Sequence, residues 1–394
     1  MRELKFLEGE DDISKYVFDT IFRGPYSEPL CPRILKLSWT VDAVFGSDFA
    51  PFLSPQLRDV HLESRPGTRF PFPHVISALP ISSLKSLHLS VIGDEPVREA
   101  ITSMFETYSK SLMTLEVSRM DQLRDVSWSR IMALPHLRVL KTDQWPPTTF
   151  PSNLPALFPS LRNISLHGPL ASGWIHFLAE GSAQGVSHGT GSKPRIVAPH
   201  LVQLYCDYGV ELGGTLASCL GVFRSLSSLV LGGSSPCSRR PCAFRLTDED
   251  VSRLAIELPG LRKLFLGVPC AYGTCRTTVN SLLALSVYCK GLHELCIHFN
   301  TRNFAWDMKN SLRNPLRRIP HPPSRCPLAV LDVGLTPLTA EALGKDVFPT
   351  LAGLVDIFPR LQKISHTTSG WRRLNAQIPS FQEMRRSLPA VFAQ

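Results

Sequence analysis

One arrangement of apolar positions recurs twelve times along this chain. Its form is apolar-x-x-apolar-x-apolar, and a proline often stands two residues before the first apolar position. The last two apolar residues of each copy are two apart, so they lie on the same side of a short strand. The first positions are separated by 23 to 40 residues, a period typical of a solenoid: Ile34, Leu57, Leu84, Leu112, Leu137, Leu161, Leu201, Leu226, Leu261, Leu292, Leu328 and Leu361.

Helical patterns of apolar residues lie between several of these strands. An apolar stripe covers 94–111, and similar stripes cover 277–289 and 339–358. Another helix is predicted to begin at Thr247, with Asp250 placed to complete a capping box. A single repeat cannot bury its own apolar face, so neighbouring repeats must stack. We therefore predict an α/β solenoid, a leucine-rich-repeat horseshoe of about twelve irregular strand-helix repeats with a parallel sheet on its concave side.

Three segments are expected along the chain. Residues 1–30 precede the repeats and are predicted to cap them, with an amphipathic helix over 11–22. Residues 31–370 form the solenoid, and 371–394 form a C-terminal capping segment. Inside the solenoid, the 40-residue interval between Leu161 and Leu201 contains a stretch rich in Gly and Ser. That composition predicts a flexible loop over 179–195.

Charge and composition narrow the classes of protein to which the chain can belong. Its 394 residues carry 42 basic and 33 acidic side chains, a net charge of +9. The basic residues are scattered in sequence, which favours an ordinary solvated surface, with a nucleic-acid or acidic-partner surface as the alternative. The sequence has no apolar run of the roughly 20 residues that a membrane span needs, and no secretory signal follows Met1. We expect a cytoplasmic or nuclear protein whose ten cysteines are reduced.

Four cysteines form two pairs with the same spacing in loops after successive repeats. They are Cys237 with Cys242 and Cys270 with Cys275. Four converging thiolates would bind one zinc ion, and a labile disulfide is a second possibility. Because the spacing is wider than in usual zinc sites, we favour unlinked thiols and expect no metal and no cofactor. Four other cysteines, Cys206, Cys219, Cys289 and Cys326, are interpreted as small core residues.

The sequence contains no catalytic motif that we can identify. It lacks His-Glu-x-x-His, Gly-x-Ser-x-Gly, the dinucleotide fingerprint and the protein-kinase set. We therefore predict that the protein is not an enzyme. An enzyme with an unrecognised site in its loops is the alternative from that class.

Strand positions between the second and third apolar residues are predicted to form a column on the concave face. The first six of these positions are polar, the next four are apolar or aromatic, and the last two are polar. In chain order they are Ser38, His61, His88, Glu116, Lys141, Ser165, Tyr205, Val230, Phe265, Cys296, Asp332 and Ser365. His61 and His88 are expected to stack side by side as polar surface residues, with a metal-binding pair as the less favoured alternative.

The apolar part of this column is the candidate partner-binding site. The predicted site residues are Tyr205, Val230, Phe265, Cys296, Lys263, Glu294, His298 and Gln203. An exposed apolar patch with a polar border is typical of a docking surface, and aromatic residues often dominate its affinity. The alternative is that the Gly/Ser loop or the C-terminal segment covers Phe265 and Tyr205.

The repeats resemble the leucine-rich-repeat region of F-box proteins, especially the fungal families of basidiomycete type. Residues 158–166 and 258–266 carry this resemblance, together with Trp371-Arg372-Arg373 and 378–381 in the tail. The resemblance implies a module that holds a protein substrate for an SCF-type ubiquitin ligase. The F-box motif itself is not visible before Ile34, so a cullin-ligase adaptor is expected as a partner only if an F-box lies outside this chain.

Our functional prediction is thus a non-catalytic protein–protein interaction module that binds a protein partner on its concave face. A nucleic-acid-binding protein or a general scaffold is the alternative, although nucleic acid is the less expected partner. No membrane association is expected.

Overall fold

All twelve predicted repeat cores coincide with β-strands in the computed structural model. The structure describes residues 3–6, 29–41, 50–64, 73–80, 82–91, 95–107, 111–118, 123, 125–144, 146–147, 156–167, 171–183, 196–206, 219–232, 246–267, 276–301, 304, 326–334, 336, 338, 343, 347–365 and 368–387. The chain divides into two units, Met1–Leu201 and Val202–Gln394.

Unit 1 contains a parallel sheet in which strands follow one another in chain order. Its described strands are β1 (Glu3–Phe6), β2 (Lys36–Val41), β3 (Asp59–Ser64), β4 (Ser86–Ser90), β5 (Thr114–Ser118), β6 (Val139–Thr142) and β8 (Asn163–Leu166). Two shorter strands, β7 (Ala156–Leu157) and β9 (Ile196–Val197), pair with each other in parallel. Strand β1 was not predicted, because the first 30 residues were assigned to a capping segment with a helix over 11–22. Residues 11–22 lie outside the described part of the chain.

Unit 2 repeats the same architecture. Its strands are β10 (Gln203–Cys206), β11 (Ser228–Leu231), β12 (Lys263–Leu266), β13 (Glu294–Ile297), β14 (Val330–Asp332) and β15 (Lys363–Ser365), each parallel to the next. Equivalent repeat positions are paired in register, as Leu229 is with Leu264 and Leu264 with Leu295. The predicted α/β leucine-rich-repeat solenoid is confirmed in each unit.

Alternation along the strands separates a core face from an outer face. Most strands alternate half-buried and buried residues, as expected when side chains point to opposite sides of a sheet. Leu87, Leu229 and Leu264 have exposed fractions of 1%, 0% and 0%. Apolar residues of neighbouring repeats therefore stack into a continuous core, and the predicted repeat register is correct.

Helices lie in several of the intervals between strands. Those of unit 1 are α1 (Pro73–Ala78), α2 (Glu95–Thr107), α3 (Asp125–Ala133) and α4 (Ala171–Ala183), with a short 3₁₀ helix at Ala50–Phe52. Those of unit 2 are α5 (Asp248–Glu257), α6 (Val279–Tyr288), α7 (Val347–Ile357) and α8 (Ser369–Ser387). The apolar stripe of α2, which includes Val97, Ile101 and Met104, is buried as predicted. Within the stripe predicted over 339–358, the structure describes helix α7, and most of residues 339–346 lie outside the described part of the chain.

The flexible loop predicted over 179–195 begins too early. Residues up to Ala183 continue helix α4, and Ala179 is only 6% exposed. The apolar run Trp174, Ile175, Phe177 and Leu178 immediately before the Gly/Ser stretch is buried, and burial of this face favours continuation of the helix. Residues 184–195 lie outside the described part of the chain.

Helix α5 begins as predicted and also contacts the next repeat. The Thr247 hydroxyl accepts a hydrogen bond from Asp250 N, and Thr247 N donates to the Asp250 carboxylate at 2.9 Å. The carboxylate of Asp248 accepts from Thr278 N and from the Thr278 hydroxyl, both at 2.6 Å. Asp248 thus ties the first turn of α5 to the N-cap of α6, an inter-repeat contact that local sequence patterns do not indicate.

The final helix, α8, packs on the last described strand. Trp371, Leu374 and Ile378 are buried, and the Trp371 indole donates to Thr336 O at 3.0 Å. Ile364 N, in strand β15, donates to the Asn375 side chain at 2.7 Å. The Asn375 side chain of α8 thus accepts a hydrogen bond from a backbone amide of β15 that a further strand would otherwise accept, so it protects the edge of the sheet at this position.

Candidate functional site

The outer face of unit 2 carries a row of apolar side chains on three adjacent strands. Tyr205 on β10 pairs in register with Val230 on β11, which pairs with Phe265 on β12. All three are half-buried and belong to the set of outward-pointing positions. The structure therefore brings together three residues that are 25 and 35 positions apart in sequence.

A polar border lies on the N-terminal side of this row. Gln203 is exposed, and Lys263 forms an ion pair of 2.8 Å with Glu294 on the next strand. The Lys263 ammonium also lies 4.9 Å from the centre of the Phe265 ring, within the range of a cation–π contact. A charged side chain therefore lies beside the aromatic ring of Phe265 and links it to the polar border.

Two glycines end the strands on the other side of the row. Gly232 and Gly267 have φ of 119° and 82°, values that residues with a Cβ rarely adopt. Their amides donate to Cys206 O and Leu231 O, at 2.9 Å and 2.6 Å. Neither glycine adds a side chain beside Val230 or Phe265.

Two of the predicted site residues are not on this surface. Cys296 has an exposed fraction of 6% and His298 one of 8%, so the expectation that they line the docking face is wrong. In β13, the residues Leu295, Cys296 and Ile297 are all buried. A continuous apolar run is typical of a strand covered on both faces, but β11 and β12 carry similar runs with outward residues that are only half-buried, so the run alone did not indicate that Cys296 is buried.

Burial shifts the pKa of both residues. Burial, with a smaller effect of the Asp332 carboxylate, raises the pKa of the Cys296 thiol to about 12. Burial also lowers the pKa of His298, although Asp332 acts in the opposite direction. His298 Nδ1 lies 3.2 Å from the Thr336 hydroxyl, and its Nε2 has no hydrogen-bond partner among the described residues. His298 is therefore a neutral core residue at pH 7.

The equivalent row in unit 1 is polar. His61 and His88 are paired in register, and their ring centroids are 3.8 Å apart, so the predicted side-by-side stacking is confirmed. His88 Nδ1 lies 3.1 Å from the carboxylate of Glu116 on the next strand. That carboxylate is 3.2 Å from Lys141 on the strand after it. The row is therefore a ladder of polar contacts across four strands.

The histidine pair borders a shallow cavity on the same face. The cavity measures about 360 Å³, and Lys36, Asp59 and Ser86 contribute to its wall together with both histidines. Burial and the neighbouring His61 lower the pKa of His88, and Glu116 opposes this change. In the described part of the chain, no group of three or more His, Cys, Asp or Glu residues is placed to hold a metal ion.

The cysteines predicted as core residues are largely where they were expected. Cys206, Cys289 and Cys326 are 0%, 0% and 1% exposed, whereas Cys219 is half-buried. Burial raises the pKa of Cys289 to about 12 and that of Cys326 to about 11. The four candidate zinc ligands, Cys237, Cys242, Cys270 and Cys275, lie outside the described residues, so the zinc and disulfide alternatives stay open.

Comparisons with known proteins give a structural neighbour only. No protein-family model and no curated protein matches the sequence. Among solved structures, the chain is similar to an internalin (inlF) from Listeria monocytogenes str. 4b F2365, with 12% sequence identity and a TM-score of 0.36. The match covers 86% of this chain and 68% of the internalin.

Within the described residues, none of the helices combines the length and apolar character that a membrane crossing requires.

Proposed function

We propose that the chain is a non-catalytic protein–protein interaction module whose partner docks on the outer sheet face of unit 2. The observation that carries this proposal is the in-register row Tyr205, Val230 and Phe265. Apolar and aromatic side chains with a polar border are the usual composition of a docking surface. A parallel sheet built from repeats offers such a row without any need for a pocket.

The contact surface is smaller than the sequence pattern indicated. Removing the buried Cys296 and His298 leaves Tyr205, Val230 and Phe265 as apolar contacts. Gln203, Lys263 and Glu294 remain as the border. The Lys263–Glu294 pair contributes mainly to specificity, because exposed ion pairs add little net affinity.

The finer role is substrate recognition for an SCF-type ubiquitin ligase, in the cytoplasm or nucleus. Support comes from the resemblance of the repeats and of the Trp371-Arg372-Arg373 tail to fungal F-box proteins. In this role the unit 2 surface holds the protein to be ubiquitylated, and an F-box elsewhere in the gene product binds the cullin-ligase adaptor. Affinity purification of the full-length gene product followed by mass spectrometry tests the role, since recovery of cullin and adaptor is expected and their absence contradicts it.

Paired variants test the docking surface itself. Proteins captured by the wild-type chain are compared with those captured by Phe265→Ala, Tyr205→Ala and the control Ser165→Ala. We expect a specific protein that Ser165→Ala captures as well as the wild-type chain does. Phe265→Ala and Tyr205→Ala should each bind that protein more weakly by roughly 1–3 kcal/mol, the usual range for aromatic anchors. Ser165 occupies the equivalent outward position in the polar row of unit 1.

Thermal unfolding of the same variants distinguishes binding from folding. Phe265 is half-buried and points away from the repeat core, so its truncation should change the melting temperature little. A large fall in the melting temperature of Phe265→Ala, or equal capture by all variants, would place the docking surface elsewhere.

A further inference from the structure

A second surface, on unit 1, consists of basic residues that the register of the sheet aligns. The residue after the first apolar position of successive repeats is Arg58, Lys85, Met113, Arg138 and Arg162. These residues are 24 to 28 positions apart in sequence, so no basic cluster is visible there. Arg58, Lys85, Arg138 and Arg162 are exposed, and Met113 is half-buried.

Backbone hydrogen bonds show that the five residues are direct neighbours. Lys85 N donates to Arg58 O at 2.7 Å, and Met113 N donates to Lys85 O at 2.8 Å. Arg138 N then donates to Met113 O at 2.8 Å, and Arg162 N to Arg138 O at 2.9 Å. With strands about 4.8 Å apart, the column extends over roughly 19 Å. We call these five residues the cationic column.

The four charges of the cationic column are not neutralised by the described residues. None of the ion pairs formed within the described part of the chain involves Arg58, Lys85, Arg138 or Arg162. The neighbouring row at the strand starts carries a single acidic side chain, and it reads Lys36, Asp59, Ser86, Thr114, Val139 and Asn163. Like charges held this close repel one another, so a bound anion lowers the electrostatic free energy of the surface.

We propose that the cationic column binds an extended acidic segment of a protein partner, with an apolar residue of that segment against Met113. An extended chain rises about 3.3 Å per residue, so about six residues span the column and every second side chain faces it. Three facing side chains then fit the column: one carboxylate lies between Arg58 and Lys85, the apolar residue lies at Met113, and a second carboxylate lies between Arg138 and Arg162. Guanidinium groups are well suited to such contacts because they bind carboxylates in a bidentate manner.

Two features favour an acidic peptide over a nucleic acid. Proteins that bind single-stranded nucleic acids combine a basic groove with aromatic side chains on which bases stack, and the row next to the column has no aromatic residue among the six just named. In the following row, the rings of His61 and His88 stack on each other at 3.8 Å. The apolar Met113 in the middle of the column also interrupts the even run of charge that a phosphate backbone would use.

This proposal rests on the proposed function, because it assigns a partner chemistry to a protein-binding array. It concerns a different surface, so the two proposals fail separately. Phe265→Ala should leave binding at the cationic column unchanged, and reversal of the column charges should leave contacts of the apolar row unchanged.

Peptide binding to the full chain tests the proposal. The probe is a fluorescein-labelled nonapeptide with two Asp-Glu pairs on each side of a central Leu, measured by fluorescence anisotropy at low and high salt. The test variant is Arg138→Glu/Arg162→Glu, and the matched control is Arg372→Glu/Arg373→Glu on the exposed side of α8, which makes the same change in net charge. Circular dichroism verifies that both variants fold.

We expect the test variant to bind the peptide about tenfold more weakly or worse, the control variant to bind within about twofold of wild type, and binding to weaken steeply with salt. Replacement of Met113 by Ser should weaken binding of the Leu peptide more than that of the same peptide with a central Ser. Equal losses in both double variants would indicate a net-charge effect and overturn the proposal. If the wild-type chain binds a nine-nucleotide single strand more tightly than the peptide, and the test variant loses that binding, then the column is assigned to nucleic acid instead. Absence of peptide binding by the wild-type chain would also refute the proposal.

Discussion

The contact between Asp248 and the next repeat gives the sharpest stability prediction. Asp248→Ala removes a carboxylate that accepts from Thr278 N and the Thr278 hydroxyl at 2.6 Å, from the Ser281 hydroxyl at 2.5 Å, and more weakly from Asn280 at 3.4 Å. Hydrogen bonds to a charged group contribute about 1.5–3 kcal/mol each when isolated. Asp248 is only half-buried, so water replaces part of this loss.

We therefore expect Asp248→Ala to lower the free energy of unfolding by about 2–4 kcal/mol, with Asp248→Asn intermediate because one acceptor oxygen is kept. The matched control is Glu249→Ala, in the same first turn of α5. Glu249 is exposed and pairs only with Arg253 among the described ion pairs, at 3.2 Å and four residues away, a contact worth about 0.3–0.5 kcal/mol.

Urea denaturation followed by circular dichroism measures both variants. Because Asp248 and Glu249 see the same helix dipole, the difference between them isolates the inter-repeat hydrogen bonds. If the two variants differ by less than about 0.5 kcal/mol, then the contacts to Thr278 and Ser281 contribute nothing net and the reasoning is refuted.

Two further predictions follow from burial. Because the pKa of His298 is lowered in the folded state, the unfolded chain binds a proton that the folded chain does not. The free energy of unfolding should therefore fall as the pH drops below about 6.5, the ordinary histidine pKa. Part of that fall should be missing in His298→Gln when unfolding is measured at pH 7.5 and 5.5. An unchanged pH dependence in the variant would contradict the assignment. The thiols of Cys289 and Cys326, whose pKa values are raised to about 12 and about 11, should not react with a disulfide reagent at pH 8 until the protein unfolds, whereas the half-buried Cys219 reacts first. Equal labelling rates in the folded protein would show that these buried sites open readily.

Local patterns were sufficient for the twelve repeat strands and for the faces of most of them. The two-residue spacing of Leu264 and Leu266 places both in the core and leaves Phe265 on the outer face, because side chains alternate along any strand. The capping box of Thr247 and Asp250 is equally local, since its partners are three residues apart. The stacking of His61 on His88 also followed from sequence, once the repeats were aligned.

The burial of outward residues and the contacts between repeats depend on segments that are far apart in sequence. Cys296 occupies the same repeat position as Phe265 and pairs with it in register, yet it is buried whereas Phe265 is half-buried, so the repeat position alone does not determine burial. The ion pair of Lys263 with Glu294 and the bonds from Thr278 to Asp248 join residues about thirty positions apart. Such contacts depend on the exact offset between repeats, which varies from 23 to 40 residues here.

The sequence by itself thus determined that this protein is a repeat solenoid, where its twelve repeat strands lie, and that the three apolar positions of each repeat face the core, because each of these depends on residues close together in the chain. Only the tertiary structure decided which outward residues share a surface. Arg58, Lys85, Arg138 and Arg162 are isolated charges in sequence and become one cationic column when parallel strands bring them about 5–10 Å apart. Charge acts through space and falls off with distance, so its consequences for binding appear only when the strands are in register.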